Sequence, residues 1–61
     1  MNSTITFIGR RMMDVRRQIA VAGNGLHEVN KIHAGHYIIT TLDGRDWNVV
    51  ESAGTWHGES K

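Results

Sequence analysis

The sequence predicts a small α+β domain, and three observations carry that reading. Ser3–Ile8 (STITFI) alternates threonine with apolar, mostly β-branched residues, which is strand patterning. From Arg10 the period changes to that of a helix. Between His36 and Glu51 two alternating runs meet at Asp43-Gly44, a strong local signal for a hairpin. The expected architecture is a short N-terminal strand, one or two helices, a further short helix and a C-terminal β-hairpin. The first strand is expected to join the hairpin edge as a three-stranded antiparallel sheet.

Each element has a local cause. Gly9 ends the first strand. Met12, Val15, Ile19 and Ala22 share one face of a helix over residues 10–22, with Arg10, Asp14, Arg17 and Val21 opposite. Asp14 is also a good N-cap, so this stretch is either one helix or two. Gly23-Asn24-Gly25 breaks it. Leu26, Val29 and Ile32 suggest a second amphipathic helix over residues 26–34, with Gly35 at its C′ position and His33 near its end. In the hairpin, a two-residue loop pairs Leu42 with Arg45, Thr40 with Trp47 and Ile38 with Val49, and a four-residue loop would change the partners but keep the same faces. That makes Ile38, Leu42, Trp47 and Val49 the expected core face. The domain is expected to occupy residues 1–51, with 52–61 as a small, polar, mobile tail. Trp56 is the exception there, because an indole wants a pocket on its own domain or on a partner subunit.

Composition narrows the function classes. A chain of 61 residues buries only about 60% of its unfolded surface, so it is marginally stable unless stapled. It has no cysteine, which excludes disulfides and cysteine-based zinc sites and suits a reducing cytoplasm. Oligomerisation is the remaining staple, so a homodimer is expected. No apolar run approaches the roughly 20 residues a bilayer span needs, and the N-terminus does not read as a signal peptide. Asn2-Ser3-Thr4 matches a glycosylation sequon, discounted for want of an export signal. The net charge is +1, but it is unevenly spread. Arg10, Arg11, Arg16, Arg17 and Lys31 against Asp14 and Glu28 give +3 over residues 1–35. Arg45 and Lys61 against Asp43, Asp46, Glu51 and Glu59 give −2 over residues 36–61. A basic half can face a polyanion while an acidic half faces away.

No catalytic or metal constellation stands out, and no cofactor is expected. His33 and His36 are three apart, but Gly35 interrupts the helix that would bring them together, and His27 and His57 are distant in sequence. Asp43 is a turn residue. Asp46, Glu51 and His36 lie near the hairpin, while Ser3, Ser52 and Ser60 have no evident base. The chain is therefore read as a binding protein and not an enzyme.

Two features point toward nucleic acid. Arg10-Arg11 and Arg16-Arg17 are basic pairs suited to phosphates. The segment GNGLHEVNKIHAG has partial helix-turn-helix spacing, with Gly23, Val29 and Ile32 in the expected places. As a recognition helix it would turn Asn24, His27, Glu28, Asn30 and Lys31 outward toward base edges. With Asn30-Lys31, the run Ile32-His33-Ala34-Gly35 into an apolar strand, the Asp43-Gly44 hairpin, Ile5-Thr6 in a first strand and a late aromatic, the chain resembles the Cro repressors of lambdoid phages. That resemblance implies a dimeric repressor of transcription on double-stranded DNA, located in the host cytoplasm if phage-encoded. It implies base contacts at Asn30 and Lys31 and a dimer anchor at Trp56. His36 stands where the family has a basic residue. Arg16, Arg17, Asn24, His27, Glu28, Asn30, Lys31 and His36 are thus the expected DNA-contacting set.

The alternative is a small phage-type inhibitor or adaptor that binds a host protein. The two readings part at Asp14. A helix broken there favours DNA binding. A continuous helix through Ala22, packed on a three-stranded sheet, favours the adaptor.

Overall fold

The computed structural model describes residues 4–60. Strand β1 (Thr6–Gly9) leads into helix α1 (Met12–Ala22), followed by β2 (Leu26–His33), β3 (His36–Thr41), β4 (Asp46–Ser52) and β5 (Thr55–Ser60). The strands make one five-stranded sheet in the order β1-β5-β4-β3-β2, and every neighbouring pair is antiparallel. This corrects the expected three-stranded α+β arrangement: the described residues are mostly sheet with a single helix.

Helix α1 runs unbroken past Asp14. Its N-cap residue, Arg11, makes no side-chain capping bond, and Asp14 lies in the first turn as an acid near the positive end of the helix dipole. Val15 and Ile19 are fully buried and Met12 packs partly against them, as the helical spacing predicts, but Ala22, expected on the same face, is exposed. The helix lies over β1, β5 and β4, where the two side chains meet Ile39, Trp47 and Val49. Phe7 stacks on Trp47 with ring centroids 5.6 Å apart and planes 16° from parallel.

The expected second helix does not form. Leu26–His33 is a strand, so the described residues contain no helix-turn-helix. The physical reason lies in its composition and its neighbour. His27, Val29, Asn30, Ile32 and His33 are weak helix formers, and an isolated helix this short is marginal in water. Pairing with β3 instead satisfies one side of its backbone. Ala34-Gly35 is then a hairpin turn and not a helix cap, with Gly35 at φ 85°.

The β3–β4 hairpin forms at Asp43-Gly44, but one residue out of the expected register. Thr40 opposes Asp46, Ile39 opposes Trp47 and Tyr37 opposes Val49. A one-residue slip turns β3 over. Ile39 and Thr41 are therefore buried beneath the helix, Ile38 faces the other side, and Leu42 is exposed. The cause is a three-residue turn. The Thr41 N–H bonds the Arg45 carbonyl at 2.9 Å, the Gly44 N–H bonds the Thr41 carbonyl at 3.0 Å, and Gly44 takes φ 88°.

The region expected as a mobile tail supplies β5, which lies between β1 and β4. Ala53 and Gly54, both with positive φ, make the turn into it. Trp56 is held within the chain, 5.8 Å from Tyr37 between ring centroids.

Candidate functional site

Helix α1 covers only one face of the sheet, chiefly over β1, β5 and β4. The strongest candidate for function is therefore the β2 edge. Seven of its eight residues are exposed, and its outer backbone has no partner strand among the described residues. Bulges fall between Leu26 and Glu28 and between Lys31 and His33, so the regular stretch is Glu28–Lys31. Glu28 and Asn30 oppose Thr40 and Ile38 and project to the helix-free face. Val29 and Lys31 oppose Ile39 and Tyr37 and project to the helix side. Val29 and Ile32 are exposed apolar residues on this edge, 36% and 54% accessible.

The helix-free face has its own character. Cross-strand registers place Thr6, Glu59, Asn48, Ile38 and Asn30 in one row, and Ile8, His57, Val50, His36 and His33 in the next. Among the described residues its charged side chains are Glu28, Asp46 and Glu59, with no lysine or arginine. A shallow depression of about 320 Å³ is lined by His36, Asn48, Val50, His57 and Glu59. His36 meets His33 edge-on at 5.3 Å, and its Nε2 is buried without a hydrogen-bond partner. No group of three potential metal ligands comes together among the described residues.

The residues expected to contact DNA do not form one surface. Arg16 and Arg17 lie on α1, Asn24 is in the turn after it at φ 63°, His27, Glu28, Asn30 and Lys31 are spread over both faces of β2, and His36 is half-buried on β3. The sequence reading missed Val29 and Ile32 as edge residues, because it assigned them to the buried side of a helix. Their β-branching was the available signal.

One ionisable group with a shifted titration lies at the hairpin turn. The Asp43 carboxylate accepts from the Thr41 hydroxyl and from the Arg45 N–H at 3.1 Å, and its second oxygen is 3.7 Å from the Arg45 guanidinium. The Thr41 hydroxyl bond, with help from the Arg45 contacts, holds its carboxyl below the ordinary value of 3.8, against an opposing desolvation effect. A depressed carboxyl stabilises the fold above its ordinary value, and that contribution is lost as pH falls through the folded-state value. Thermal melts across the acid range are therefore expected to show a shallower acid decline for Asp43→Asn than for the parent, with no difference in pH slope near neutrality. Parallel slopes throughout would remove Asp43 from the acid response.

No family model, curated protein or solved structure matches this chain. No helix of the described residues is long and apolar enough to cross a membrane.

Proposed function

We propose that this chain is a small protein-binding module, an inhibitor or adaptor, that pairs its β2 edge with an extended segment of a partner protein. The observation carrying this is the state of residues 12–33: α1 is continuous through Ala22, and the segment that a repressor would use as a recognition helix is an exposed edge strand. A dimeric DNA-binding regulator of the Cro type would require that segment to enter the major groove as a helix. Strand addition instead uses main-chain hydrogen bonds for affinity and alternate side chains for selection.

The side chains favour a foreign segment over a second copy of β2. Two-fold self-pairing within one sheet sets residues of the same face opposite each other. Glu28 and Lys31 project to opposite faces, so no such register joins them as an ion pair. A partner segment with a base facing Glu28 and an acid facing Lys31 satisfies both. The bulges and Lys31 also discourage indiscriminate edge pairing.

The test is capture from lysate on the immobilised chain, with and without nuclease, followed by hydrogen exchange on the purified complex. The expected result is a nuclease-resistant protein whose binding slows exchange in residues 27–33 and is lost in Ile32→Asp. Disappearance of the captured material after nuclease, or unchanged exchange along β2, would overturn the reading. A complex containing only this chain would replace the foreign partner with a homodimer.

A further inference from the structure

Helix α1 presents a second surface, away from β2. With Val15 and Ile19 turned into the core, Met13 and Val21 remain 63% and 78% exposed. Arg16 and Arg17 are exposed on the same helix, and Arg10 and Arg11 lie just before it. Among the described residues the ion pair recorded for these four arginines joins Arg11 to Asp14 at 3.7 Å. Among the described residues no ion pair engages Arg10, Arg16 or Arg17. Cations near the first turn meet the positive end of the helix dipole, while the last turn, where they would stabilise the helix, has no basic residue. Beside Arg17, a groove of about 350 Å³ runs between α1 and β1, lined by Phe7, Arg17, Gln18, Val21 and Ala22, and Arg17 is shared with a second depression of about 180 Å³ lined by Met13 and Arg16.

We propose that this face of α1 binds an acidic amphipathic segment of a partner protein. Its carboxylates meet the arginines, and its apolar side chains enter the groove over Phe7, Val21 and Ala22. The mixture of charge and apolar surface selects this occupant. A phosphate backbone rewards cations alone and gains nothing from covering Met13 and Val21. An acidic peptide with apolar residues uses both, and such mixed surfaces are what protein interfaces bury. The acids of the helix-free face repel a polyanion that would wrap further around the molecule.

The surface is independent of the β2 edge, so the two proposals fail separately. The full chain is titrated by fluorescence anisotropy with three labelled probes: a short peptide interleaving glutamate and leucine, polyglutamate of equal charge, and a DNA duplex. The interleaved peptide is expected to bind at least about tenfold more tightly than the other two. Arg16→Gln with Arg17→Gln, and separately Val21→Ser, are each expected to weaken it about tenfold, while Ile32→Asp leaves it unchanged. All these positions are exposed, and circular dichroism of each variant serves as the check that it is folded. Tighter binding of the duplex would assign the surface to nucleic acid. Equal binding of polyglutamate, or variants that bind like the parent, would overturn the proposal outright.

Discussion

Valine in place of Gly58 is expected to leave the chain largely unfolded at room temperature. Gly58 is the point where β5 passes directly beneath α1. A Cβ there would sit 2.5 Å from Cγ1 of Val15 and 2.9 Å from Cδ1 of Ile19, far inside van der Waals contact. Val15 is β-branched and fully buried, so it cannot swing aside, and the helix itself must lift. Overpacking of this kind costs about 1–3 kcal/mol for modest intrusions. A 61-residue domain without disulfides has only a few kcal/mol to lose. Gly58→Ala is the graded version, and urea denaturation should show a lower midpoint. Adding Val15→Ala to Gly58→Ala should recover part of the loss, because it reopens the space the new methyl needs. A Gly58→Val chain as stable as the parent would mean that the helix does not seat on β5 as described.

Trp47→Ala is expected to be comparably damaging, by a different route. Trp47 is completely buried, stacks against Phe7, and donates its indole N–H to the Thr41 hydroxyl at 3.3 Å. Truncating a buried tryptophan to alanine typically costs about 3–5 kcal/mol in lost transfer energy and cavity formation. Trp47→Phe separates the two contributions. It retains an aromatic ring against Phe7 but removes the donor to Thr41, so it should cost less and still measurably lower the denaturation midpoint. If Trp47→Ala and Trp47→Phe behave alike, the hydrogen bond and not the buried ring would be the dominant contribution.

The patterns that depend on residues near one another in sequence were legible. Val15 and Ile19 form the buried stripe of a helix, Gly23-Asn24-Gly25 stops it, and Asp43-Gly44 turns a hairpin. What was not legible depends on distant partners. Leu26–His33 carries an apolar spacing compatible with a helix, and only β3 at its side decides for strand. The hairpin register turned on one residue, because Asp43 bonds Thr41 and Arg45 and closes a three-residue turn where two were expected. That single step exchanged Ile38 for Ile39 in the core. The last strand was hidden by its composition. Small and polar residues read as a loose end, yet Gly58 is small because a helix lies on it and Ser60 is buried where its hydroxyl accepts the Ile5 N–H at 3.0 Å. The candidate edge was missed with the strand that forms it, and the arginine pairs were seen without the groove beside them.

The position of β5 also governs the order in which the molecule can come together. The strand nearest the C-terminus is wedged between the first strand and the fourth, with Thr6 opposite Glu59 and Trp47 opposite Ser60. Among the described residues β1 has no neighbouring strand other than β5, so it joins the sheet only once β5 is in place. The three-strand meander β2-β3-β4 can assemble by itself in the meantime, because its contacts are local. Docking of β5 on β4 then brings β1 into the sheet, so the pairing of greatest sequence separation, Thr6 with Glu59, closes last.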